Sequence, residues 1–261
     1  MPMLMTQTPE VAYLMERDWR LRHLIETVGD LSYEVTGGAY EHVVHSATEQ
    51  MQSMKVGHAI EGRLRGLCGG EITSEAVFSL SVEEMRYCGI AVRKAATLQE
   101  LARTMPEPEL RLLAELPDNE VHRALTAVHG IGKWTADMFL IFYLGRPDVL
   151  PVEDGAVRQA FKWLYGAPFI DGNVREVVRS LCRPYSSTAV RYMYRVLNMG
   201  LVNSRALMCF FNRIAPIVRK PGRFTYSYAD FFMVDFCGFV LLSAISCWEL
   251  IYHAKNSCLY G

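Results

Sequence analysis

The sequence predicts an all-α protein, and three observations carry that prediction. Apolar residues recur at three- and four-residue spacing through most segments between about residues 10 and 200, the mark of helices with one buried face. Alternation with a period of two, the mark of a half-buried strand, is almost absent over the same span. Finally, the segment 133–143, KWTADMFLIFY, sets Trp134, Met138, Ile141 and Phe142 on one side and Phe139, Leu140 and Tyr143 on the other. A helix that is apolar almost all round belongs in the middle of a domain.

In chain order, residues 10–30 read as one amphipathic helix, with Val11, Leu14, Met15, Trp19 and Leu21 inside and Asp18 and Arg20 on the wet side. Gly37 and Gly38 make a turn. One or two helices follow over 40–68, where Val43, Val44, Ala47 and Met51 lead into Val56, Ile60 and Leu64. Cys68, Gly69 and Gly70 end them. Ser81 and Glu84 have the spacing of a capping box and start a short helix. A further helix runs to about Arg103, Pro106 and Pro108 punctuate, and 110–116 is a helical turn or two. Asp118 is a good N-cap for the next helix, whose stripe is Val121, Leu125 and Val128. Gly130 and Gly132, flanking Ile131, then permit positive φ and leave the backbone bare. The helix from Lys133 ends before a loop marked by Pro147 and Asp148. Asp154 opens a helix with Val157, Phe161 and Leu164 that stops at Gly166. Helices over 174–181 and from about 186 through Tyr194 to Leu197 complete the pattern.

Composition narrows the classes of function. A chain of 261 residues is one large domain or two small ones, and 51% hydrophobic with 21% charged residues is ordinary globular usage. A net charge of −1 excludes a protein that coats nucleic acid by bulk charge, so any DNA footprint is local. Seven cysteines without a CxxC pair predict reduced thiols and an intracellular (cytoplasmic) setting. The first residues have neither a basic stretch nor an apolar run, so no secretion signal is expected. The last 58 residues are of another kind: FFMVDFCGFVLLSAISCWELIY, from Phe231, is strongly apolar. Asp235 and Glu249 leave 13 uncharged residues between them, short of the about 20 that a membrane span needs. A docked terminal helix, an irregular extension and a span all stay open for it.

The hairpin carries the chemistry. A glycine turn entering a helix points several backbone N–H groups one way, and with the positive end of the helix dipole they favour a phosphate oxygen. Lys133 adds a full charge there. Such a contact holds the DNA backbone without reading its sequence. An ordinary helix–helix turn would look the same if it stood alone. It does not stand alone: HGIGKWTA at 129–136 is followed by DVLP at 148–151 and by Asp154, 20 residues beyond Trp134.

Together these residues resemble the helix-hairpin-helix DNA glycosylases, and within them the DNA-3-methyladenine glycosylase II group. The resemblance covers about residues 11–200. It implies two lobes with the active site in the cleft between them, a glycosylase domain over 1–203 with its hairpin at 121–144, and an atypical tail over 204–261. It also implies base flipping and hydrolysis of the N-glycosidic bond of alkylated purines, in base-excision repair. Asp154 is the implied catalytic carboxylate; it also suits an N-cap, and the two roles are compatible. Cleavage builds positive charge on the sugar, which a carboxylate stabilises. Trp134, Met138 and Tyr194 are the implied base pocket, since an electron-rich ring attracts a cationic alkylated base; core packing is the other use of each. In bifunctional relatives a lysine stands where this chain has Trp134, so a monofunctional enzyme without lyase activity is expected.

The segment EQMQSMK at 49–55 resembles the family's QQLSxKA, departing at Glu49 and Gln52. Met51 is then either the wedge that fills the space of the flipped base, with Gln50 beside it, or a core residue. Gly130, Ile131, Gly132, Lys133 and Thr135 complete the implied DNA contacts. CGIAVRKA at 88–95 resembles the family's GLSxxKA, which leaves Arg93 and Lys94 as DNA contacts or plain surface residues. RPYSS at 183–187 resembles RPWRS, with Ser186 in the place of an arginine that contacts DNA. The resemblance also implies a monovalent cation at the backbone of Thr126, Val128 and Ile131. No iron–sulfur cluster is expected, because Cys209, Cys237, Cys247 and Cys258 lack the close spacing that such a loop needs. The expected partner is double-stranded DNA containing damaged bases, met by a monomer. A non-catalytic DNA-gripping module and a glycosylase for another lesion are the competing readings.

Overall fold

The computed structural model describes residues 3–5, 7–32, 37–49, 54–165 and 180–203. The expected helices at 174–181 and in the tail from 204, and the expected contacts of Gln50 and Met51, lie wholly or mostly outside these residues. The described chain is helical apart from a two-residue antiparallel pair that sets Met3 against Ser32 and Leu4 against Leu31. Among the described residues, no helix is long and apolar enough to cross a membrane.

The single helix expected over 10–30 is two, α1 (Pro9–Arg17) and α2 (Trp19–Val28). The chain breaks at Asp18, which is extended and whose carboxylate accepts the N–H groups of Arg20 (2.8 Å) and Leu21 (3.1 Å). Asp18 and Arg20 are not on the wet side: they are 4% and 7% exposed. The Arg20 guanidinium lies over the rings of Trp19 and Tyr165, and the Tyr165 hydroxyl donates to Asp18 at 3.3 Å. Periodicity assigns polar residues to the surface, whereas these two are buried with partners for their polar groups.

The next helices are α3 (Ala39–Glu49) and α4 (Met54–Leu67). In α4, Ile60 and Leu64 are buried as expected, but Val56 is 43% exposed. Glu107 caps α3 from a distant segment, accepting the N–H groups of Ala39 (2.9 Å) and Tyr40 (2.7 Å). A short α5 (Ser74–Ser79), which periodicity does not reveal, precedes α6 (Val82–Tyr87). Both halves of the Ser81–Glu84 capping box are formed there. Then come α7 (Val92–Thr104), α8 (Glu107–Leu112), a 3-10 turn (Leu113–Glu115) and α9 (Asp118–Ala127). Pro117, not Asp118, holds the cap position of α9, and Asp118 is its first helical residue.

The central helix begins as α10 (Lys133–Met138) and continues as a π-helical turn (Phe139–Tyr143). It is followed by α11 (Gly155–Tyr165) and, after the undescribed stretch, by α12 (Ser186–Asn198). Two groups of helices result. One is α1, α2, α11 and α12, drawn from both ends of the described chain; the other is α3 to α10. Phe139, Leu140 and Ile141 are fully buried, as an all-round apolar helix requires. Each contributes about 1.5–3 kcal/mol of burial. The π turn is bound to the first group: the Arg191 guanidinium of α12 donates to the Ile141 carbonyl and lies 5.6 Å from the centre of the Phe142 ring.

Candidate active site

The hairpin between α9 and α10 is built by one residue with unusual backbone geometry. Val128 leaves the helix extended, the Ile131 N–H closes back on the Val128 carbonyl at 3.0 Å, and Gly130 sits at φ +91°. A Cβ at Gly130 would also lie 2.0 Å from Thr97 Oγ1. Glycine is therefore required twice over, by its φ and by the approach of α7. Gly132 does not use its freedom: it is ordinary extended backbone at φ −96°, the cap residue of α10. Ile131 is 4% exposed and anchors the turn in the core, while His129 and Lys133 face out.

Lys133, Trp134 and Thr135 are the first residues of α10, so their N–H groups lack intrahelical partners and point out of the helix start. Thr135 corrects the expectation made for it. Its side chain is 1% exposed and its hydroxyl has no hydrogen-bond partner, so it offers a phosphate only its backbone N–H. A half-buried polar contact ties the two hairpin helices together, His122 Nε2 of α9 lying 3.0 Å from Asp137 of α10.

The four residues expected at the reacting centre come together at the seam of the two helix groups. Trp134 and Met138 reach it from α10, Asp154 from the start of α11 and Tyr194 from α12. The Trp134 indole N–H donates to Asp154 Oδ2 at 2.5 Å. The other carboxylate oxygen accepts the Val157 N–H at 2.6 Å, capping α11. The Tyr194 hydroxyl lies 3.6 Å from Met138 Sδ, close enough to Asp154 to feel its charge. Burial, then the neighbouring Asp154 charge, pushes the Tyr194 phenol far above its ordinary pKa, so it keeps its proton and serves as a donor. Met138 is 5% exposed, and Trp134, Asp154 and Tyr194 are half-buried. Asp154 is thus held by two donors, one on each carboxylate oxygen. Glu153 beside it faces out.

Contacts that the sequence does not show, between the DVLP and RPYSS segments, hold this arrangement. The loop before Asp154 is fastened to the start of α12. Asp148 accepts from Arg183 Nε (2.6 Å) and the Ser186 hydroxyl (2.5 Å). The Val149 N–H donates to Ser187 Oγ (3.0 Å), and the Ser187 N–H to the Pro147 carbonyl (3.0 Å). Ser186 is 1% exposed and so acts inside the protein. A depression of about 290 Å³ is lined by Asp148, Leu150, Arg183 and Ser186, none of them an expected base contact. Arg93 is exposed, and Lys94 Nζ reaches the Thr48 carbonyl at 3.4 Å.

A glycine hairpin followed by a tryptophan and a helix-capping aspartate, set between two groups of helices, defines a helix-hairpin-helix protein with a carboxylate centre. The chain belongs to the family described as HhH-GPD superfamily base excision DNA repair protein, whose model matches residues 44–184. It is 30% identical over 167 residues to DNA-3-methyladenine glycosylase 1 of Schizosaccharomyces pombe, across 62% of this chain and 73% of that protein. Its fold is similar to the crystal structure of DNA-3-methyladenine glycosidase from Bacillus halodurans, with a TM-score of 0.67 and 30% identity over 81% of this chain and 100% of the other. It is also similar to the 3-methyladenine DNA glycosylase of S. pombe in complex with abasic DNA, with a TM-score of 0.64 and 26% identity over 71% of this chain and 95% of that one.

Proposed function

We propose that this chain is a DNA glycosylase that hydrolyses the N-glycosidic bond of alkylated purines of the 3-methyladenine type in duplex DNA, as a step of base-excision repair. The observation that carries this reading is the Trp134–Asp154 hydrogen bond at 2.5 Å beside Tyr194 and Met138. A module that only grips phosphates has no use for a carboxylate held in this way. The names of its relatives, glycosylases of 3-methyladenine, support the substrate class.

The reaction follows from the geometry. The hairpin holds the DNA backbone through the N–H groups at the start of α10 and through Lys133, while the target nucleotide leaves the stack. A base alkylated at a ring nitrogen is cationic and is drawn to the Trp134 face and the Tyr194 ring. The bond between C1′ and the base nitrogen breaks with its electron pair going to the base, which departs neutral. Asp154 stabilises the charge that grows on the sugar, water oxygen adds to C1′, and the carboxylate takes up the water proton before passing it to solvent. The enzyme is read as monofunctional: Trp134 stands at the site-facing position, and Lys133, the neighbouring amine, is exposed on the hairpin.

The residues at the hairpin also suit a monovalent cation. Thr126 and Val128 lie at the end of α9, where carbonyls lack intrahelical donors, and Ile131 follows the turn. A bound cation would supply positive charge toward a phosphate. No other cofactor enters the proposed reaction, which we assign to a monomer acting on cellular DNA inside the cell.

The test is base release from DNA carrying methylated purines, by wild type and Asp154→Asn, with binding to abasic-site DNA followed in parallel. Release by the wild type, its loss in the variant and retained binding are expected, without strand nicking before base is added. Binding without release by the wild type would favour the module or another lesion.

A further inference from the structure

We propose that α3 and α4 carry a site for a divalent first-row transition metal, formed by His45, Glu49 and His58. None of the three residues is among those that hold Asp154 or form the expected base pocket, and nothing in the proposed reaction uses them. Its donor atoms are one per residue, all within 4.8 Å of one another. His45 Nε2 lies 3.4 Å from one Glu49 oxygen, and His58 Nε2 lies 3.6 Å from the other. Both separations are long for a hydrogen bond. Around a tetrahedral ion, ligands at about 2.1 Å stand about 3.4 Å apart, so the three groups have only to draw in from their present spread to share one ion.

The surroundings of His45 argue further for a ligand. Its other ring nitrogen, Nδ1, lies 2.6 Å from Glu61, which holds the ring with Nε2 facing Glu49. Glu61 is in turn held by Arg65 at 2.9 Å, and Arg65 pairs with Glu41 as well. A carboxylate behind one imidazole nitrogen, with the other turned toward the site, is the arrangement that orients metal-binding histidines. The His45 and His58 rings stack with their centres 6.0 Å apart.

Gly57 supplies a second, independent observation. A Cβ there would lie 2.9 Å from Glu49 Cγ and 3.5 Å from its Cα. The absence of a side chain on α4 is what lets the Glu49 side chain settle between the two histidines. Two imidazoles and one carboxylate suit zinc and its neighbours rather than calcium or magnesium, which prefer all-oxygen sites. Half-exposed His45 and exposed His58 leave a fourth position for water. An ion entering the site takes the place of the proton on His45 Nε2, which leaves to solvent. The consequence is mechanical: the ion ties the last residue of α3 to the second turn of α4, the two helices joined through residues 50–53.

The experiment is titration of the full chain, freed of metal by chelator, with cobalt(II) followed by absorption and with zinc(II) followed by thermal unfolding. The expected result is intense visible bands of tetrahedral cobalt without a sulfur-to-metal band, and a zinc-dependent rise in the unfolding temperature. His58→Gln, at an exposed position that folding does not need, should abolish both. Glu61→Gln should weaken cobalt affinity about 10- to 100-fold while leaving the bands tetrahedral. Base release by the metal-free protein should be unchanged by His58→Gln, which separates this proposal from the assignment of the reaction. Absence of the bands, a sulfur-to-metal band that places the ion on cysteines, or undiminished uptake by His58→Gln would each overturn the site.

Discussion

The Trp134 indole N–H donates to Asp154 Oδ2 at 2.5 Å, joining two residues 20 positions apart in the chain. The tryptophan is therefore more than a flat wall for a base, because its edge fixes the carboxylate while its face remains for the ligand.

Trp134→Phe separates these two uses. Phenylalanine keeps an aromatic face and loses the N–H. A hydrogen bond to a charged group is worth about 1.5–3 kcal/mol, so single-turnover base release should fall about 10- to 100-fold while affinity for abasic DNA holds. Trp134→Ala should fall further, because the face goes as well. Equal rates for the two variants would show that the N–H contributes nothing.

Gly130→Ala tests the hairpin. The substitution places a Cβ 2.0 Å from Thr97 Oγ1 at a φ of +91°. The backbone part alone costs about 1–3 kcal/mol. The unfolding temperature should drop and DNA binding weaken. Adding Thr97→Ala removes the nearest atom and should restore part of the loss, leaving the backbone share. Indifference of Gly130→Ala to the second change would mean that the two sites do not touch.

Ser187→Ala tests the fastening of the loop that carries Asp154. It leaves the buried Val149 N–H without its acceptor, a loss of about 1–3 kcal/mol in stability. Base release should fall at temperatures where the fold is still intact, since the loop then holds Asp154 less firmly. Normal turnover in a destabilised variant would separate the fastening from the chemistry.

Asp18→Asn probes a buried charge. Burial pushes the Asp18 carboxyl above its ordinary pKa, despite the opposing pull of Arg20 and two backbone N–H groups. The folded protein thus holds that proton more tightly than the unfolded chain does. The stability so gained is full below about pH 4, the unfolded value, and is lost as pH rises through the folded one. Asparagine keeps the cap and is neutral throughout. In urea unfolding, Asp18→Asn should therefore gain on the wild type between pH 4 and pH 7, whereas a constant difference would contradict the burial argument. Asp18→Ala, without a cap, should lose about 1 kcal/mol.

Much of the site was legible because its signals are local or evenly spaced. The hairpin shows as two glycines between apolar stripes, and Asp154 is found by its offset from Trp134. Tyr194 rested on resemblance alone, and the structure sets its hydroxyl beside Met138. What escaped depends on partners remote in sequence. Asp148 meets Arg183 and Ser186 after 35 and 38 residues, and no periodicity announces the pairing. The break at Asp18 was hidden because a buried cap and a buried arginine mimic the polar face of one continuous helix. Asp137 did leave a trace, as the lone acid in an otherwise apolar helix; its partner His122 could be found only from the fold.

The π turn at Phe139–Tyr143 has a consequence for how this gene product can change length. It adds a residue without adding a turn, and each residue of an α-helix advances by about 100°. The helix is therefore out of phase with itself across Met138, with Trp134 and Met138 aimed by one phase and Phe142 by the other. Substitutions among apolar side chains leave that offset intact. A single deletion within 139–143 removes the extra residue and returns the segment to a regular α-helix, with the parts on either side kept in place, whereas a deletion within Lys133–Met138 rotates Trp134 by about 100° relative to the rest. Natural variants are thus expected to lose a residue at the π turn more readily than in the turn that carries Trp134.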